Sequence, residues 1–163
     1  MTAFDPAQHR MVSEQRWFDY FHLGERFLLP SRTMTEAVFL AFQGASGDAH
    51  PVHYDVEYCR ARGMPGLLAH GLQTLAQTAP GAGLFPYLVE ESLVGFIEQS
   101  SRFLKPVFAG DTLRAHTKVV SLRESKSRPT AGIVEFEHTA FKQTGEAVAI
   151  CRRTAFMKKK PAA

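Results

Sequence analysis

The 163-residue sequence predicts an α+β fold, in which an antiparallel sheet wraps around one central helix. Three observations carry that prediction. The hydrophobic period changes along the chain, from helical signals up to about Pro80 to strand signals up to about Met157. From Asp111 the period is two: Leu113, Ala115, Thr117 and Val119 alternate with Arg114, His116 and Lys118, and Val134, Phe136 and Ala140 with Glu135, Glu137 and Thr139. A sheet with one apolar face needs a cover. The stretch after His70-Gly71 supplies it, because small uncharged side chains surround its apolar positions Leu72, Leu75, Ala76 and Ala79.

Taken in order, an amino-terminal lead (1–22) carries the aromatic cluster Trp17, Phe18, Tyr20 and Phe21, which suits covering a core or meeting a partner. Gly24 to Arg32 reads as a first strand, with Pro30 placing its end near a sheet edge. Thr33-Met34-Thr35-Glu36 has the capping-box pattern ahead of Val38-Phe39-Leu40-Ala41-Phe42, and that helix should stop around Gly44 to Gly47. Asp55 can cap a short helical turn through Cys59 and Arg60, ended by Gly63. The enclosed helix is expected from Gly71 to Pro80-Gly81. Extended segments follow: about Leu93 to Leu104, then Asp111 onward, then the strand around Phe136. Thr144-Gly145 marks a tight turn before Ala147 to Met157. No linker or repeat divides the chain, so one domain over 1–163 is expected, with residues 158–163 as a mobile basic tail.

Composition removes several function classes. With 45% hydrophobic and 21% charged residues, the chain is too apolar to be disordered. The net charge is +3, part of it in Lys158, Lys159 and Lys160, without the dense basic stripe of a nucleic-acid binder. No apolar run approaches the roughly 20 residues that span a bilayer, and the start of the chain does not read as a secretory signal. Cys59 and Cys151 lack metal-like spacing and read as reduced thiols of a cytoplasmic protein.

Ser46-Gly47-Asp48-Ala49-His50-Pro51-Val52-His53-Tyr54-Asp55 concentrates two histidines and two aspartates where Gly and Pro exclude regular structure. Three readings compete. The carboxylates can cap turns beside incidental surface histidines. The same groups can ligate a metal, although HPVH on a loop is not the helical HExxH arrangement and no fourth ligand is evident. Or Asp48 and His53, five residues apart, converge to bind and activate a water.

SGDAHPVHYD resembles the GDxNPxHxD signature of the MaoC-like, or R-specific, enoyl-CoA hydratases. LLAHGLQTLA is similar to that family's helix-opening His-Gly, and SRFLKPVFAGDTL to its strand segment ending Pro-Val-x-x-Gly-Asp. Three ordered motifs cover most of the span from Glu36 to about Val120. The resemblance implies a single hot-dog fold and reversible hydration of a 2-enoyl-CoA, or dehydration of the 3-hydroxyacyl-CoA, within fatty acid metabolism. It implies that Asp48 and His53 form the catalytic pair and that the Gly71 N–H receives the thioester oxygen. It implies no metal and no cofactor beyond coenzyme A as part of the substrate, and a homodimer or higher homo-oligomer. His50 stands where the family has Asn, and is a candidate for binding or orienting substrate. Arg102 and Lys105, in the third motif, are candidates for the phosphates of coenzyme A. His70 reads as fixing the turn into the helix, and Asp111 as fixing a turn at a strand start. The rival activities are a hot-dog acyl-CoA thioesterase, an acyl-thioester-binding module without turnover, and a metal-dependent hydrolase.

Overall fold

The computed structural model describes residues 14–162. Five strands, β1 (Arg26–Thr33), β2 (Leu93–Phe103), β3 (Thr112–Glu124), β4 (Ala131–Lys142) and β5 (Ala147–Lys158), form one antiparallel sheet in the order β1-β3-β4-β5-β2. Between β1 and β2 come α1 (Glu36–Ser46), α2 (Val56–Arg60), α3 (Gly71–Gln77) and α4 (Phe85–Leu88). Pro30 lies on β1, an edge strand, where the register shifts between Leu29 and Arg32 and the N–H that proline lacks is not called on by a second ladder.

Caps follow local chemistry with one change from expectation. Thr35, not Thr33, caps α1 by accepting the Val38 N–H, because Thr33 is the last residue of β1. Gly47 ends α1 in the left-handed region at φ 71°, and Gly63 follows α2 at φ 68°. Asp55 caps α2 through the Tyr58 N–H.

The predicted alternation in β3 and β4 is the observed one, and it defines the inner face of the sheet. Three successive rows cross that face. The first is Ala115–Ala140–Ala149–Phe103, the second Thr117–His138–Cys151–Ser101, and the third Val119–Phe136–Arg153–Gln99. The middle row separates two apolar clusters. One, holding Met34, Phe39, Leu67, Leu75, Leu113 and Val148, lies toward the helices. The other, holding Phe18, Phe21, Val119, Val134, Phe136 and Met157, receives the amino-terminal aromatics. The Phe18 ring packs flat on Gly132, where a Cβ would fall 2.2 Å from it, so only glycine admits the lead there. Residues 1–13 of the expected lead lie outside the described residues.

Two expectations are corrected. The central helix ends at Gln77 rather than at Pro80, since the Thr78 hydroxyl turns back to the Thr74 carbonyl at 2.8 Å. Its buried side holds Gln73, Thr74 and Leu75, whereas Leu72, expected in the apolar face, is 57% exposed. Gln73 Oε1 accepts the His70 N–H at 3.2 Å, while its buried Nε2 has no partner among the described residues. Nor is the basic end of the chain loose through Lys160. Lys158 is in β5, Lys159 pairs with Glu124, and the Lys160 N–H donates to Asp19 Oδ2 at 2.9 Å.

Candidate functional site

The loop between α1 and α2 brings its polar groups to the start of α3. Asp48 is placed by its own backbone surroundings: Ser46 Oγ accepts the Asp48 N–H at 3.1 Å, and Asp48 Oδ1 accepts the His50 N–H at 2.8 Å. That backbone hydrogen bond, followed by the neighbouring histidines His53, His70 and His50, holds the carboxyl below the usual aspartate range against an opposing desolvation. Asp48 is therefore an ionised carboxylate at neutral pH.

His53 sits at the end of the single 3-10 turn Pro51–His53 and is 9% exposed. Its Nδ1 lies 2.5 Å from the Leu68 carbonyl oxygen. A carbonyl only accepts, so Nδ1 carries the proton and neutral His53 presents the Nε2 lone pair. Leu68 is itself held by its N–H to the Val52 carbonyl and by a bridge to Phe108, while the Ala69 N–H reaches the Val107 carbonyl at 2.7 Å.

His70 caps α3 as expected and does more. Its Nδ1 accepts the Leu72 N–H at 3.0 Å, which puts the ring proton on Nε2, and Nε2 lies 3.3 Å from Asp48 Oδ2. The His53 and His70 rings are 5.3 Å apart. Asp48, His53 and His70 bring ligand-capable atoms within 4.8 Å of one another. With its proton on Nε2, His70 has no lone pair to offer there. A metal would keep Asp48 and His53 alone, short of the three or four protein ligands of a zinc site. As hydrogen-bonded in this structure, the cluster offers two free donors, one from Asp48 and one from His53.

Gly71 adjoins this cluster. Among the described residues no acceptor lies on its N–H, since the first helical N–H has no partner within the helix. A Cβ on Gly71 would meet the Phe103 ring at 2.7 Å, so glycine lets the chain pass close over β2. A cavity of about 450 Å³ opens beside it, lined by His70, Gly71, Leu72, Phe103 and Lys105 among others.

The structure thus joins Asp48, His53 and Gly71, with Lys105 on the cavity wall, where it also pairs with Glu146 at 3.7 Å. His50 is adjacent but turned aside: its Nδ1 accepts the Val52 N–H at 3.2 Å and its ring packs edge-on against Tyr58 at 5.9 Å. Arg102 is not brought to the site. Strand alternation puts it with Ile150, Glu137 and Arg152 on the outer face, opposite to its neighbours Ser101 and Phe103. Two residues escape the sequence reading. His70 touches Asp48 across 22 positions of sequence, and Tyr54 is close enough to feel the Asp48 charge. Burial first and that charge second raise the Tyr54 phenol above its ordinary value, so it stays protonated.

Comparison with known proteins places this arrangement. The chain is 32% identical to an (R)-specific enoyl-CoA hydratase of Aeromonas caviae, over 72% of this chain and 87% of that one. It is 30% identical to a mesaconyl-CoA hydratase of Cereibacter sphaeroides over 91% of this chain, and spans 43% of that protein's length. The structure of a monoamine oxidase regulatory protein from Archaeoglobus fulgius matches at TM-score 0.84 and 27% identity, covering 93% of this chain and 99% of that one. A Mycobacterium tuberculosis protein with a double hot-dog fold matches at TM-score 0.79 and 26% identity, over 91% of this chain and 46% of that one. The sheet around α3 is accordingly a hot-dog fold, and no helix among the described residues is long and apolar enough to cross a membrane. With residues 21–141 matching the model of the MaoC-like domain, this chain belongs to the MaoC-like dehydratase family.

Proposed function

We propose that the chain catalyses the reversible hydration of a 2-enoyl thioester to the 3-hydroxyacyl thioester, with coenzyme A as the carrier. One arrangement carries the reading: the ionised Asp48 carboxylate and His53 hold ligand-capable atoms within 4.8 Å of each other and of His70, next to Gly71, whose N–H has no acceptor among the described residues. A water there donates one O–H to Asp48 and the other to His53. As the water oxygen bonds to C3, its proton passes to His53 Nε2 and the π electrons move onto the thioester oxygen. The Gly71 N–H donates to that oxygen. The imidazolium then returns the proton to C2, so one water supplies both the hydroxyl and the hydrogen. His70, locked by the Leu72 N–H, holds Asp48 in line. Lys105, at the cavity wall, suits a phosphate of the carrier.

The test is incubation with crotonyl-CoA, following enoyl-thioester absorbance and free thiol together. Loss of the enoyl signal with no thiol is the expected result, unchanged by a chelator. Thiol release would replace this reading with thioester hydrolysis.

The working state is a homodimer formed along β2. This edge strand exposes Phe96 (60%), Ile97 (57%) and Phe103 (53%), an apolar edge of the kind that proteins cover. Light scattering is expected to give twice the 18.1 kDa chain mass, and Ile97→Lys to shift it toward one. A monomeric wild-type protein would overturn the dimer.

A further inference from the structure

Both members of the reacting pair are tied to one residue between them. The backbone of His50 serves each in turn: its N–H donates to Asp48 Oδ1 at 2.8 Å, and its carbonyl accepts the His53 N–H at 3.0 Å. Any residue except proline could make those two bonds. The side chain makes a third. His50 is the N-cap of the 3-10 turn Pro51–His53, at φ −63° and ψ 127°, and its Nδ1 accepts the Val52 N–H at 3.2 Å. Pro51 has no N–H and the His53 N–H is already used, so the Val52 N–H is the donor that the turn leaves over.

The effect of this cap reaches the His53 ring through a chain of bonds. The Val52 carbonyl accepts the Leu68 N–H at 3.0 Å and the Cys59 thiol at 3.2 Å. The Leu68 carbonyl in turn accepts the His53 Nδ1–H. His50 thus fixes Val52, Val52 fixes Leu68, and Leu68 decides which nitrogen of His53 bears the proton. The other edge of the His50 ring has no part in this. With Nδ1 accepting, the neutral ring carries its proton on Nε2, and the ring stands edge-on to Tyr58 with its centroid 6.1 Å from that of His53.

We infer that His50 is a positioning residue for the proposed reaction, acting through its Nδ1 lone pair on the turn that carries His53 and not through Nε2 on the substrate. This rests on the hydration reading for what Asp48 and His53 do.

Two amides separate the two ring nitrogens. An Asn carbonyl oxygen stands where histidine carries Nδ1, whereas the longer Gln side chain takes its carbonyl oxygen toward the place of Nε2. With crotonyl-CoA, His50→Asn is expected to keep kcat within about threefold of wild type, while His50→Gln and His50→Ala lower it about tenfold with KM within about twofold. Both amides are uncharged and polar at an exposed position, so the comparison does not turn on unfolding. The second readout needs no turnover. Exchange of the Val52 amide and of the His53 Nδ1–H, followed by NMR, is expected to quicken about tenfold in the Gln and Ala variants and to stay slow in the Asn variant. Activity kept by His50→Gln and lost in His50→Asn would overturn the inference in favour of a substrate contact. Equal kcat values for the two amides would overturn it as well. A wild-type chain that leaves crotonyl-CoA unchanged would remove the hydration reading, and the exchange pattern would then decide by itself whether His50 places His53.

Discussion

On the proposed reaction, Asp48→Asn is expected to lower kcat for crotonyl-CoA hydration by about a thousandfold, inside the 10²- to 10⁴-fold range of general acid–base catalysis. The substitution preserves volume, and the remaining amide oxygen can still accept the His50 N–H that Asp48 Oδ1 accepts at 2.8 Å. The second oxygen changes to an NH2 group. It then faces the His70 Nε2–H, 3.3 Å away, donor against donor, and it can no longer accept an O–H from the attacking water. The loss is expected on kcat rather than on KM, because the proposed contacts of the thioester and its carrier are elsewhere, at Gly71 and Lys105. Steady-state kinetics of the purified variant is the check. A kcat within tenfold of wild type would take Asp48 out of the reaction.

A second large effect belongs to a residue remote from the chemistry. His138 lies in the sheet with its Nδ1 2.7 Å from the Thr117 hydroxyl, and burial first, with the Arg153 charge second, pushes its pKa down from 6.5 to about 3. The folded protein therefore keeps this ring neutral, while the unfolded chain takes up the proton as pH falls below 6.5. Stability is full above that value and drains away on acidification until the folded form also protonates near 3. Between about pH 7.5 and pH 5 the cost is roughly 2 kcal/mol, at 1.36 kcal/mol per unit. Urea midpoints at the two pH values measure it. His138→Gln, which still accepts from Thr117 but does not titrate, is expected to flatten most of the slope. His116, also lowered by burial, contributes a smaller slope of the same sign. An equal slope in the variant would contradict this account.

Period and punctuation made most of the fold legible. Alternation in β3 and β4 reads directly, because nearly every inward side chain, His138 excepted, is apolar or small, and Gly47 and Gly63 stand where left-handed backbone ends a helix. The central helix misled because its apolar spacing implied that Leu72 turns inward. In the structure Gln73 and Thr74 do so, with Gln73 Oε1 bonded to the His70 N–H and its Nε2 left without a partner among the described residues. His138 and Arg153 were available to the same counting. Each keeps step with an inward series, Val134-Phe136-Ala140 and Cys151-Ala155, but a polar residue is easily passed over when apolar ones are sought. Arg102 is the converse, a basic residue favoured for its motif although its parity sends it outward. The bond from His70 to Asp48 had no local signal. It depends on the 67–69 segment folding back against Val52 and Val107, which no periodicity describes.

The groups that move protons all come from one continuous stretch, Asp48 through Gly71, tied internally by the His53–Leu68, Leu68–Val52 and His70–Asp48 links. The inner surface of β2 and β5, by contrast, is drawn from the last half of the chain. The polar cluster and the inner surface of the sheet are thus written in separate parts of the sequence. Substitutions along β5 can therefore change the inner surface of the sheet while the links among Asp48, His53 and His70 stay intact.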